Sequence, residues 1–286
     1  MVRPSMLLAL GALTVAAVAC APASETATQT TASAPATCAK DQLTLKTAGK
    51  LTIGTDKPAY EPWFKDDTPA NGKGFESAVA YAIAKQLGFG NNEITWATVK
   101  FDSAFAPGAK QFDLDFNQVS VTPDRAKVVD FSDGYYTVKQ AVVALDGSKI
   151  ASATDLASLK DAKIGVQVGT TSLQAVKDVI KPTTELNVYN EQIDAVNALK
   201  NKQVDAVVVD LPTAFYVTAA QVEGSKIIGQ FGTASGAPEV FGAVFEKGSP
   251  LVGCVNEAIG KLTASGELAK IETEWLGSAA GAPELK

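Results

Sequence analysis

From Leu51 to Phe231, short apolar runs that stop in polar or glycine turns alternate with helical stripes, and this restricts the chain to an α/β class built on open sheets. Leu51–Asp56, Ile94–Val99 and the start of 113–136 read as strands. Between the first two, Phe75, Ala78, Val79, Ala82, Ile83 and Leu87 share one helical stripe. The pattern then recurs. Val138–Leu145, Lys163–Val168, Leu186–Tyr189, Val204–Val209 and Lys226–Phe231 read as strands, with helices at Glu191–Lys200 and Ala214–Val222. Val240–Phe245 reads as a strand leading out, and Pro250 opens a late helix. The expected architecture is two lobes, each a β-sheet flanked by helices, joined by two hinge crossings near 138–144 and 233–240. Lobe one takes 40–138 plus 236–279, lobe two 139–235, and 280–286 reads as a flexible tail.

The first residues read as something other than fold. Met6 to Ala19 is an apolar run that follows Arg3, too short for a stable membrane span, and 1–19 is expected to be a secretory signal. It ends in Ala17, Val18, Ala19 and Cys20, which resembles a bacterial lipobox. That resemblance implies cleavage before Cys20 and acyl chains, palmitate among them, on its thiol. Ordinary secretion is the plainer alternative. Residues 20–39 are poor in large apolar side chains and read as a tether behind the lipid. The expected location is extracytoplasmic, at the periplasmic or outer face of the cell membrane.

Composition removes whole classes of function. The net charge is -6 with no basic run, so no nucleic-acid partner is expected. There is no histidine, which excludes histidine metal sites and histidine general bases; no cofactor, metal or catalytic residue is expected. Cys38 and Cys254 are the two cysteines outside the lipobox, in a compartment that permits a disulfide, and they are expected to pair. Two unpaired thiols are the alternative, since Cys254 also suits an apolar helix face.

The segment 113–136 concentrates polar chemistry. Asn117, Gln118, Ser120, Thr122 and Arg125 follow a short strand, and Pro123 after Thr122 reads as a capped helix start. Donors and one arginine at such a place suit a small carboxylate, because the guanidinium fork matches it. A polar surface loop would look the same locally. Elsewhere, Asp56 follows the first strand, Tyr60 lies in an aromatic, proline-rich loop, and Gly169, Thr170 and Thr171 follow a strand.

These motifs form an ordered series. Gly54 to Asp56 with Tyr60 and Pro62, Gly74-Phe75, Ser120 with Thr122, Pro123 and Arg125, and Asp130 to Ser132 come first. Tyr135-Tyr136, Gln167 with Gly169 to Thr171, Asp205 to Asp210, Val255-Asn256 and Glu274 to Gly277 complete it. The stretch from Leu51 to Gly277 thereby resembles the polar amino-acid-binding proteins (family 3) of ABC importers. The resemblance implies the two-lobed periplasmic-binding-protein fold, a free amino acid as ligand, a permease and an ATPase as partners, and a monomer. It implies that Arg125 holds the ligand α-carboxylate with Ser120 and the Thr170–Thr171 turn. Asp210 would take the α-ammonium, helped by the 117–120 turn. Asp56, Tyr60, Phe101 and Gln167 would line the side-chain pocket, Phe101 as a stacking wall. A buried zwitterion needs both a fixed cation and a fixed anion, which agrees with these assignments.

The chain departs from the family at Asn117 and Gln118, where small residues are usual, and at Asp115, where an apolar residue is expected. Gln118 would narrow the cleft or touch the ligand. One extra residue stands between Asp56 and Tyr60. The expectation is a polar or basic amino acid. A dehydratase-like enzyme on the same fold, with Asp56 or Glu76 as its acid, and a sensor that binds without transport are the alternatives.

Overall fold

The computed structural model describes residues 38–277 and 281–286. The expected signal, the expected lipid on Cys20 and most of the expected tether therefore lie outside the described residues. Twelve strands are seen among the described residues: β1 (Leu51–Thr55), β2 (Ile94–Thr98), β3 (Leu114–Asp115), β4 (Val129–Phe131), β5 (Tyr136–Val138), β6 (Gln140–Leu145), β7 (Ile164–Gln167), β8 (Asn187–Tyr189), β9 (Ala206–Asp210), β10 (Ser225–Phe231), β11 (Glu239–Phe241) and β12 (Val244–Glu246). The helices are α1 (Phe75–Gln86), α2 (Phe101–Ala104), α3 (Thr171–Ala175), α4 (Gln192–Lys200), α5 (Leu211–Tyr216), α6 (Leu251–Ala264) and α7 (Glu267–Leu276).

Two five-stranded sheets define two α/β lobes. The first has the order β2-β1-β3-β12-β4 and the second β10-β6-β9-β7-β8. Parallel pairing of β1 with β2 and β3, and of β7 with β8 and β9, brings the C-terminal ends of these strands to one edge of each sheet. Ligands in open α/β sheets bind beyond such ends. The lobe-one core packs Leu51, Ile53, Leu114 and Phe116 against α1, α6 and α7, with Trp63, Phe64, Phe75 and Phe241 fully buried. In lobe two the alternating residues of β6 and β9 feed separate cores on the two faces, Val142 and Val208 on one, Val143 and Val207 on the other.

The crossings differ from their sequence reading. Val138–Leu145 is not one strand. It splits at Lys139, whose carbonyl accepts from Leu211 N at 2.9 Å, into β5 in the hinge and β6 in lobe two. Val240–Phe245 likewise splits at Gly242. A side chain there would meet Val121 Cγ2 at 2.9 Å and Ser132 O at 3.1 Å, so glycine lets the two segments approach. The hinge halves β5 and β11 pair with each other, Val138 opposite Glu239 and Tyr136 opposite Phe241.

Two further expectations need correction. Thr122 does cap, accepting from Arg125 N at 3.2 Å, but only a single 3-10 turn follows, Arg125–Lys127, rather than a helix. Little dipole is available there. The described end of the chain is no loose tail. Leu285 is buried in the lobe-two core, Gln230 exchanges backbone bonds with Pro283 and Leu285 at 2.7 and 2.9 Å, and Leu156 N donates to Lys286 O. Gly229 permits this seat, since a Cβ there would lie 2.7 Å from Leu285 Cγ. Small and polar composition hid one apolar anchor, Leu285, placed to fill a groove.

Cys38 and Cys254 stand with their sulfurs 2.07 Å apart and their Cα atoms at 5.3 Å, which places the start of the described chain on α6. No helix among the described residues is long and apolar enough to cross a membrane.

Candidate functional site

The strand ends of both lobes face one narrow cleft. Asp56, Tyr60, Phe101, Asn117 and Gln118 line it from lobe one, and Gln167, Thr170, Thr171, Ser172, Gln192 and Asp210 from lobe two. Its open volume is ≈ 40 Å³. Sites that enclose small molecules measure roughly 300–1,000 Å³, so an occupant of that size requires the lobes to part. A wider groove of ≈ 440 Å³ runs past Leu45, Phe112 and Pro250. Charged groups there are already matched: Lys46 Nζ to Glu246 Oε2 at 2.7 Å, and Asp113 to the amides of Lys46 and Thr52.

Arg125 sits beside the cleft and is 8% exposed. Its Nη1 donates to Ser120 O at 2.7 Å and its Nη2 to Gly169 O at 2.9 Å, across the lobes. The guanidinium lies 4.2 Å from the Phe105 ring and 5.5 Å from Phe101, a cation–π sandwich edge that fixes its plane. Burial pushes its pKa down to about 10, with Glu239 and then Asp210 opposing the shift, so it remains a cation at neutral pH. Phe101, expected as a wall for a ligand, thus also supports Arg125.

Ser120 Oγ donates to Glu239 Oε1 at 2.6 Å and lies 3.3 Å from Thr171 Oγ1 of the other lobe. Thr170 is occupied as a cap. Its hydroxyl accepts from Leu173 N at 3.1 Å and donates to Gln167 O, which orients the start of α3. Asp210, at the end of the apolar run in β9, accepts from Gln140 Nε2 at 2.9 Å. Burial first and Glu239 second push its carboxyl well above the usual range.

At the other end, Asp56 accepts from Lys57 N and Phe101 N at 2.6 and 3.2 Å. Burial raises its pKa against these two bonds, and Glu191 adds to the rise. Tyr60 is pushed up to about 12, by burial and then by Asp56. Asn117 Nδ2 donates to Val99 O and Gln167 Nε2 to Asn190 O, both long at 3.2 and 3.3 Å.

Gln118 lines the cleft, but its amide is spent elsewhere. Backbone N and side-chain Nε2 both donate to the carboxylate of Glu76, and Tyr135 Oη donates to the same group. Gln118 holds φ at +50°, and Glu76 pins that left-handed turn. Glu76 is fully buried, and burial pushes its pKa up to about 7 despite three donors. The alternative in which Glu76 would serve as an enzyme's acid meets a group that faces Gln118 and Tyr135. Asp115, the unexpected acid of β3, is buried with neither oxygen hydrogen-bonded, and burial, Glu76 and Asp56 raise its pKa strongly.

The sequence reading missed Gln140, Ser172, Gln192, Glu239 and Phe105. Gln140 interrupts an apolar run at one crossing and Glu239 opens the strand at the other, so polar residues at the expected crossings were the available signal. Among the described residues, no group of three or more His, Cys, Asp or Glu is arranged to hold a metal ion.

The description "bacterial extracellular solute-binding proteins, family 3" matches residues 51–278. The chain is 31% identical over 232 residues to the arginine-binding extracellular protein ArtP of Bacillus subtilis (strain 168), covering 79% of this chain and 86% of that one. Solved structures of an ancestral arginine-binding protein agree in fold. The form bound to arginine is 34% identical with a TM-score of 0.68, covering 80% of this chain and 99% of that one. The form bound to glutamine is 33% identical with a TM-score of 0.68, covering 81% and 99%.

Proposed function

The chain belongs to the bacterial extracellular solute-binding proteins of family 3, and from this we propose that it binds a free amino acid between its lobes and delivers it to an ABC-type importer. The observation that carries the reading is the placement of Arg125 and Asp210. A buried guanidinium from lobe one and a carboxyl group from lobe two lie within each other's field at one cleft. A zwitterion is the small ligand whose two charges both need such partners. In this reading Arg125 takes the α-carboxylate with Ser120 and the Thr170–Thr171 turn, and Asp210 takes the α-ammonium.

The side-chain end favours a polar or basic amino acid. Asp56 lies there with Glu191 close enough to raise its pKa, and a cationic tip would relieve both. Tyr60, Phe101 and Gln167 supply flat and hydrogen-bonding walls. The arginine-binding character of ArtP and of the ancestral protein supports the same preference. The dehydratase-like alternative has less support, because the carboxylate of Glu76 is engaged by Gln118 and Tyr135.

The protein works outside the cytoplasm, held at the cell membrane by lipid on Cys20, with Cys38 and Cys254 oxidised to a disulfide. A thermal-shift screen with the twenty amino acids, ornithine, citrulline and cystine tests the ligand class. A ligand that binds only the native state raises the melting temperature. Polar or basic amino acids are expected to give the largest shifts. Tightest binding of glutamate or aspartate would overturn the side-chain preference, and no shift with any compound would overturn the amino acid reading.

A further inference from the structure

Glu239 opens β11 in the second crossing, where its carboxylate spans the site. Oε1 accepts from Ser120 Oγ at 2.6 Å, and Oε2 accepts from Gln140 Nε2 at 3.1 Å. The same nitrogen of Gln140 donates to Asp210 Oδ1 at 2.9 Å. Gln140 is 0% exposed, and its Oε1 accepts from Ser172 Oγ at 2.6 Å. Its amide is therefore locked. A flip would turn an oxygen towards two carboxylates and an N–H towards a hydroxyl already used as donor.

One fixed amide thus gathers two acids, whose accepting oxygens lie within about 6 Å of each other. Like charges at that range repel in a poorly hydrated site. Arg125 is the cation whose field reaches both. If a ligand carboxylate engages Arg125, that cation is matched by the ligand, and the carboxyl groups of Asp210 and Glu239 are left facing the remaining end of the ligand.

We propose that Glu239 is a specificity-determining residue which, together with Asp210, reads the positive charge at the amino end of the ligand. The inference rests on the amino acid reading above. An ammonium carries three N–H donors, enough for both carboxylates at once. Inserted there, it replaces repulsion by two charge-assisted hydrogen bonds. A ligand with a hydroxyl, a keto group or hydrogen in place of the ammonium leaves the two acids facing each other. Glu239 therefore deepens the discrimination that Asp210 alone would provide. Its bond to Ser120 places it next to the carboxylate end as well, so the residue measures charge close to the α-carbon rather than at the side-chain tip.

Calorimetry on the full-length protein tests this with matched probes: L-arginine against 5-guanidinopentanoic acid, and L-glutamine against glutaramic acid. Each second compound is the first without its ammonium. Wild type should prefer the amino acid by more than about a hundredfold in at least one pair. Glu239→Gln should weaken that amino acid by about tenfold or more and leave its deamino partner unchanged or tighter, so the preference shrinks by at least that factor. Glu239→Ala should shift the preference the same way, and serves if the glutamine variant loses its cooperative melting. A preference within about threefold of wild type in both variants overturns the inference. So does a tightening of both members of a pair by the same factor, which would make Glu239 a competitor for Ser120 instead. Failure of all four probes to bind wild type overturns it too; a positive thermal shift with another amino acid would then leave the broader reading standing.

Discussion

Arg125 Nη2 donates to Gly169 O at 2.9 Å, so the guanidinium that sits beside the cleft in lobe one is already bonded to lobe two. With Nη1 on Ser120 O, the fork holds backbone from both sides. Ser120 and Thr171, Trp63 and Thr213, and Lys100 and Glu191 make further contacts across the same division, at 3.3, 2.9 and 3.6 Å. The two lobes therefore meet through polar groups whose partners can be exchanged for those of a ligand.

Replacing Arg125 by Ala should cost about 3 kcal/mol or more of ligand binding, roughly a hundredfold in affinity. Lysine should restore only part, because it offers a point charge and not a fork. The buried carbonyl of Ser120 and the carbonyl of Gly169 also lose their donor, so the melting temperature of Arg125→Ala should fall, whereas an arginine facing open solvent would leave it unchanged. Calorimetry with the best ligand of the amino acid screen, beside differential scanning calorimetry of the unliganded variants, reads both effects. Affinity within threefold of wild type would remove Arg125 from the site.

Asp210→Asn should lower affinity by a similar amount while keeping the shape at Gln140 Nε2. The measurement is the same titration, with the deamino analogue as control. A loss equal for the amino acid and the analogue would mean that Asp210 does not face an ammonium.

Glu76 makes stability depend on pH. Its folded pKa of about 7 lies above the ordinary 4.5, so the folded state binds its proton more tightly than the unfolded chain. The resulting stabilisation is complete below the ordinary value and is lost as pH rises through about 7. Urea unfolding at pH 5 and pH 8 should differ by up to about 3 kcal/mol from this group. Glu76→Gln should reduce the difference, and Asp115 and Asp210, shifted in the same direction, should keep part of it. A variant with an unaltered pH dependence would show that the three donors to Glu76 outweigh its burial.

The Cys38–Cys254 link closes 216 residues of sequence. Changing both residues to Ser should lower stability by about 2–5 kcal/mol with little effect on ligand affinity, since no residue of α6 lines the cleft. Thiol titration of unfolded, unreduced protein from an oxidising compartment should find neither cysteine free. Two reactive thiols would defeat the proposal.

Cys20→Ala should move the protein from the membrane fraction to the soluble fraction, because acyl chains on one residue are the only anchor proposed. Unchanged membrane association would require another attachment.

The α/β class, most of the strands and the division into two lobes were legible because hydrophobic periodicity is local. The strand-end residues Asp56, Asn117 and Asp210 were legible for a related reason: an apolar strand that stops at a polar residue announces its own end, whereas Gln167 was reached only through the family resemblance. What stayed hidden depends on distant partners. Glu239 acquires its meaning from Ser120, 119 positions away, and Glu76 from Gln118 and Tyr135. Splitting of the crossings at Lys139 and Gly242 is likewise set by Leu211 and Val121, which no local window contains. Thr122 and Pro123 carried a real start signal, yet the chain turns into β4 after one 3-10 turn. A start signal does not fix a length.

The docking of residues 281–286 has a mechanical meaning. Helix α7 belongs to the first sheet's core, and Leu285 is seated in the second. The chain therefore links the lobes a third time, in addition to the crossings through β5 and β11. Four peptide links join Gly277 to Gly281, and a fully stretched chain of that length reaches about 14 Å. This strap sets a limit on travel. While Leu285 stays in its seat, the lobes can swing only as far as that short leash allows, and any wider gape must first pull the leucine out.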